Sequence, residues 1–230
     1  MTQETYRRLE AYMRACMGDC AHDADHVYRV LYLALEIAET EPGADRDVLI
    51  AACLLHDVGR EEQFQNPSLC HAQVGAGKAY RFLLDQGFPE AFAAHVRDCV
   101  RTHRFRSGDP PASVEANILF DADKLDVTGA IGMARTLFYA AQVGQPLYTL
   151  LPDGSVSDGG QEEPTGCHSV LREYKVKLEG IYDRFLTRRG AELARRRQAA
   201  AVRIYDDLLS EARECYERGG DLLRQSIESI

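Results

Sequence analysis

Apolar residues recur at helical spacing along most of the chain. From about Glu4 to Met17 the stripe is Leu9, Met13 and Cys16, and Gly18-Asp19 breaks it. Asp23 or Asp25 can cap a second helix carrying Val27, Val30, Leu31, Ala34, Ile37 and Ala38, which Glu41-Pro42-Gly43 stops. Asp45 or Asp47 opens a third helix that ends at His56, and Glu61 to Ser68 reads as a polar loop. Further helices are predicted from near His71 through Leu83, from Ala91 to about His103, and over Val114 to Leu125. Gly129 to Val143 is apolar and rich in small residues, which predicts a buried helix. Gly144 to Gly166 loses the periodicity and is rich in Gly, Pro, Ser and Asp, so it reads as a long surface loop or a lid. Two closing helices are expected, about His168 to Thr187 and about Gly190 to Arg218. No segment reads as a strand. The pattern predicts an all-α protein, one helical bundle domain over residues 1–230, with its core at about 20–140.

Bulk properties narrow the function. The net charge of −9 argues against a broad nucleic-acid surface, which needs a basic face. It leaves room for a small anionic substrate in a local basic pocket. No apolar run is long enough for a membrane span. The first residues, Met1 to Arg8, carry no apolar signal segment. The seven cysteines form no Cys-x-x-Cys pair, which with that opening predicts reduced thiols and a cytoplasmic location.

Chemistry concentrates where polar groups interrupt apolar runs. The Ala51-Ala52-Cys53-Leu54-Leu55 run ends in His56-Asp57, an adjacent pair of ligands for a divalent metal. A capping histidine beside a solvated aspartate is the plainer alternative. His26 sits in the first turn of an apolar helix, with Arg29 at i+3 on its face. Asp121, Asp123 and Asp126 lie in an apolar helix. Asp123 and Asp126 share a face, while Asp121 lies about 200° round from Asp123. His71 and His103 fall in helices expected beside that of His56; His95 and His168 have less context.

The order His26, His56-Asp57, Asp123 resembles the H…HD…D pattern of the HD-domain superfamily of metal-dependent phosphohydrolases. Three segments carry the likeness: His22-Asp23-x-x-His26-x-x-Arg29-Val30, Ala52-x-Leu54-Leu55-His56-Asp57-Val58, and Asp121-Ala122-Asp123-Lys124-Leu125-Asp126 before Gly129-Ala130-Ile131-Gly132. They are similar to a bacterial subgroup of nucleotide-type HD hydrolases. The resemblance runs from about Cys20 to Tyr139 and implies metal ligands at His26, His56, Asp57 and Asp123. His56-Asp57-Val58-Gly59-Arg60 and His71-Ala72-Gln73-Val74-Gly75-Ala76 also resemble the two-metal branch, which would put a second ion near His71 and His103. Arg60 replaces that branch's lysine, and its Gly-Tyr-Pro segment is missing, against cyclic-dinucleotide cleavage.

The expected activity is hydrolysis of a phosphate ester or anhydride of a nucleotide or related small phosphate compound by metal-activated water. Manganese, iron, cobalt, magnesium and zinc all suit such ligands. Arg29 and Lys124 are candidates to hold phosphate oxygens, and Glu61 to relay a proton; ion pairing and solvation are their plainer roles. A diiron oxygenase using His26, His56, Asp57, His71, His103 and Asp123, and a non-catalytic regulatory module, are the alternatives. Neither a nucleic-acid polymer nor a membrane is expected as partner, and a homo-oligomer is compatible with the sequence.

Overall fold

The computed structural model describes residues 1–17, 24–105, 110–161 and 168–228. Several expectations lie outside them: the Gly18-Asp19 break, His22 and Asp23, and positions 162–166 of the long loop. The described chain is all-α, with one isolated antiparallel bridge between Leu150 and Val156. Among the described residues no helix is long and apolar enough to cross a membrane. Where one domain is expected over residues 1–230, the contacts gather into two compact units: Met1–Asp126 with Phe185–Ala191, and Val127–Arg184 with Glu192–Ile230.

In the first unit α1 (Gln3–Cys16) starts at Thr2, whose hydroxyl accepts from the Thr5 N–H at 3.1 Å. Helix α2 (Ala24–Ala38) buries the stripe the pattern foretold, and His26 with it. Helix α3 (Arg46–Leu55) is capped by Asp45, which accepts from the amides of Asp47 and Val48 at 2.9 and 3.1 Å. Val48, Leu49 and 51–55 are all buried, because α3 is the central rod. It is packed by α1, α2, α5 (His71–Asp85), α6 (Glu90–Thr102) and α7 (Val114–Leu125). A helix that is apolar all round belongs in such a place.

Four sequence expectations need correction. The Glu61 to Ser68 loop begins as a short helix, α4 (Arg60–Gln65). The second unit opens with α8 (Gly129–Gln142), which was expected to be buried. Only Gly129, Gly132, Met133 and Ala140 are, while Phe138 is 74% exposed and Ile131 and Tyr139 are exposed too. Gly129, Gly132, Met133 and Ala140 make the packed side, while Ala130 and Ala134 are exposed along with Ile131, Phe138 and Tyr139. The long loop is not a plain excursion: Leu150 pairs with Val156 across a turn held by Asp153 and Ser155, and Val156 and Ser157 are buried.

The closing helices also differ. The first is brief: α9 (Val170–Glu173) loosens into a π turn over Tyr174–Leu178, with Glu179 N–H bonded to Tyr174 O at 2.8 Å, and Gly180 follows. Helix α10 (Arg188–Glu228) starts earlier than predicted and runs past Gly219-Gly220. Tyr205 helps fix α10 within the second unit. Its ring stacks on Tyr174 at 4.3 Å, and its hydroxyl donates to Asp158 O at 2.7 Å.

Candidate metal centre

Five helices of the first unit deliver side chains to one buried cluster. His56 follows α3 as its C-cap, and its Nδ1 lies 2.7 Å from Cys53 O. His103 does the same at the end of α6, with Nδ1 2.6 Å from Val100 O. A carbonyl only accepts, so each Nδ1 carries a proton and each ring turns its Nε2 inward. His26, from the first turn of α2, has Nδ1 2.7 Å from Asp126 Oδ2, which orients its Nε2 in the same way.

His71 arrives because the backbone after His56-Asp57 touches the start of α5. A Cβ on Gly59 would lie 2.4 Å from His71 O and 2.5 Å from Gly75 N, so only glycine permits that approach. His71 Nδ1 is 2.6 Å from Gln63 Oε1, and Gln63 Nε2 donates to Leu69 O at 2.8 Å. The second bond fixes the amide's orientation, so Nδ1 of His71 is a donor and its Nε2 is a lone pair. Arg104 lies 3.2 Å from the same Nδ1.

The inward atoms fall into two groups that meet at Asp57. On one side His26 Nε2 is 3.3 Å from His56 Nε2 and 3.3 Å from Asp123 Oδ1. Both imidazoles lie 3.5 Å from Asp57 Oδ2. On the other side His71 Nε2 is 3.3 Å from His103 Nε2, and the two lie 3.3 and 3.8 Å from Asp57 Oδ1. Donors on one ion with bonds of about 2.1 Å stand roughly this far apart. Asp57 Oδ2 is buried with no hydrogen-bond partner. Converging lone pairs beside an orphaned carboxylate oxygen are costly without a cation, so the residues fit one.

The electrostatics agree. Burial pulls His26 down, but Asp123, Asp126 and Asp57 overcome it and push its pKa up to about 10. With no ion bound those carboxylates keep a proton on His26, and a metal would replace that proton at Nε2. Burial is opposed in Asp57 by Arg60, His56 and His26, and in Asp123 by His26, His103 and His56; both carboxyls are held well below the usual range. Burial brings His71 to about 2 and His103 to about 4, so both rings stay neutral.

All six candidate ligands converge, and the other candidates stand apart. Arg29 grips Asp126 with two bonds, Nε to Oδ1 at 2.7 Å and a terminal nitrogen to Oδ2 at 3.1 Å. Lys124 Nζ lies 4.3 Å from the centre of the Phe120 ring. Glu61 accepts from Gln65 at 2.8 Å on α4. His95 pairs with Glu115 at 3.0 Å, and His168 is exposed. Asp121 caps a different element, accepting from the amides of Leu186 and Thr187 and the Thr187 hydroxyl at 2.6–3.1 Å.

Sequence reasoning missed Asp126. Its i+3 spacing from Asp123 was visible, but not its place behind His26. A carboxylate behind a ligating histidine fixes ring orientation and basicity. Asp126→Asn is expected to weaken binding of the first ion about 10- to 100-fold, measured by metal titration of the stripped protein. An unchanged affinity would remove Asp126 from this role.

Comparison with known proteins agrees with this geometry. The HD domain model matches residues 23–128. The uncharacterized protein YpgQ of Bacillus subtilis is 30% identical over 147 residues, 61% of this chain and 69% of that protein. This chain belongs to the HD-domain superfamily. Among solved HD-superfamily structures, a predicted hydrolase from an uncultured Thermotogales bacterium is 28% identical, with a TM-score of 0.60 over 89% of this chain and 91% of that one. Bacillus subtilis YpgQ, solved in complex with ADP, superposes with a TM-score of 0.69 at 24% identity, over 90% of this chain and 97% of that one. An HD-superfamily hydrolase from Bacillus thuringiensis gives 0.67 at 24% identity, over 91% and 97%.

Proposed function

We propose that this HD-superfamily protein is a metal-dependent phosphohydrolase that cleaves a phosphate ester or anhydride of a nucleotide or related small phosphate compound in the cytoplasm. His26, His56, Asp57 and Asp123 hold the divalent ion. The observation that carries this reading is the convergence of the His26 and His56 Nε2 atoms on Asp123 Oδ1 and on the unpartnered Asp57 Oδ2. Nitrogen and carboxylate donors without thiolate suit manganese, and equally iron, cobalt, magnesium or zinc. When bound, the ion supplies Lewis acidity and water acidified from 15.7 towards about 7.

The protein's own groups shape the rest. Asp123, the least enclosed ligand at 23% side-chain exposure, marks the open side on which substrate arrives. Lys124, next to it, holds phosphate oxygens there, and Arg29 acts through Asp126 on His26. Glu61, on the neighbouring α4, passes the proton to solvent. The ADP found with YpgQ supports a nucleotide as substrate.

Chelator-stripped protein is expected to release no phosphate from nucleoside phosphates and to recover with Mn²⁺. Full activity after complete stripping would overturn the proposal. A second reading, the diiron oxygenase, is favoured by the Asp57–His71–His103 group. Two irons per purified chain with oxygen uptake would select it, and one labile ion with phosphate release would reject it.

A further inference from the structure

Asp57 is used unequally. Its Oδ2 has no hydrogen-bond partner, while its Oδ1 accepts from Arg60 Nε at 2.9 Å. Among the described residues that Oδ1 is the one carboxylate oxygen grouped with His71 and His103. A second ion there would have to share the atom whose charge Arg60 already balances.

We propose that Arg60 stands on Asp57 Oδ1 in place of a second cation, so that the centre binds one divalent ion tightly and a second only once Arg60 is displaced. The inference rests on the metal reading above and adds the control of stoichiometry. Arg60 is the first residue of α4, and the Gly59 contact with His71 O fixes the backbone from which it reaches. Its charge is permanent, because a guanidinium does not deprotonate in proteins. It takes one lone pair of Oδ1 and cannot itself ligate an ion, and its fixed positive charge 2.9 Å from that oxygen opposes a dication there.

Charge balance points the same way. His71 and His103 are imidazoles and bring no negative charge. With Arg60 in place, a second dication would be buried with no carboxylate left to balance it. Yet the two Nε2 lone pairs face each other at 3.3 Å, so the donor set is competent once Oδ1 is released. The Arg60 side chain is 23% exposed and lies at the rim, where it can leave without unpacking the core. Arg60 is a positioning residue in this scheme.

The experiment is Mn²⁺ titration of the chelator-stripped full chain, with bound metal counted by elemental analysis and paired ions detected by electron paramagnetic resonance. Wild type is expected to bind one ion tightly and a second weakly. Arg60→Ala is expected to tighten the second ion by about 10- to 100-fold and to give the spectrum of an exchange-coupled pair. Arg60→Gln keeps more of the stem and should act in the same direction if the alanine variant folds poorly. Adding His71→Ala to Arg60→Ala should remove the gained ion. Equal second-ion affinity in wild type and variants would overturn the inference, as would two equally tight ions in wild type or a gain that survives His71→Ala. In those cases the first ion and the hydrolase reading stand. A wild type that binds no ion would overturn both.

Discussion

Asp57→Ala is expected to lower phosphate release by at least about a thousandfold and to remove the tightly bound ion. The side chain is the hinge of the cluster: one oxygen faces His26 and His56, the other His71 and His103. Losing metal-borne activation forfeits several kcal/mol of transition-state stabilisation, and each 1.36 kcal/mol is a factor of about ten. Asp57→Asn, which keeps the shape and loses the charge, should fall nearly as far. Elemental analysis and phosphate assays on protein with an unchanged circular dichroism spectrum make the check. An alanine variant that keeps both metal and rate would mean the ion sits elsewhere.

Gly59→Ala is expected to destabilise the protein by about 3 kcal/mol or more, at the upper end of overpacking costs. The added methyl would meet backbone atoms of His71 and Gly75 at 2.4 and 2.5 Å, and backbone cannot rotate aside as a side chain can. Either the turn after Asp57 or the start of α5 has to move, and α5 carries His71. For a chain of this size that cost corresponds to a fall in Tm of roughly 6–12 °C. Gly77→Ala is the internal control. It lies in α5 with nothing within 4 Å of the added Cβ, and should stabilise by up to about 1 kcal/mol. Thermal melts of the two variants read the contrast, and equal melting of Gly59→Ala and wild type would deny the close approach.

Much of this was legible in the sequence where local pattern and tertiary packing agree. The α2 stripe faces the core because its apolar residues repeat at i, i+3, i+4 and i+7, and α3 is central because from Val48 to Leu55 it is apolar on every face. The candidate ligands were visible as polar residues set in apolar runs. What stayed hidden depended on partners far away in the chain. Asp123 and Asp126 share one face of α7, and only the arrival of His26 and Arg29 from α2 separates their positions. Gln63 carries no signal at all, since it stands in a polar stretch and matters only through His71. The exposed face of α8 was misread because small and large apolar residues alternate there, and composition does not say which side packs.

His56 and His103 are each braced on a carbonyl one turn back in their own helix. Neither ring can rotate outward until that turn opens, and residues 51–58 around the first of them are buried throughout. An ion held between them would leave by the less enclosed Asp123 side, and the two braced rings would set how firmly it is kept. Loosening their turns should therefore show first as a lost ion, before the chain melts.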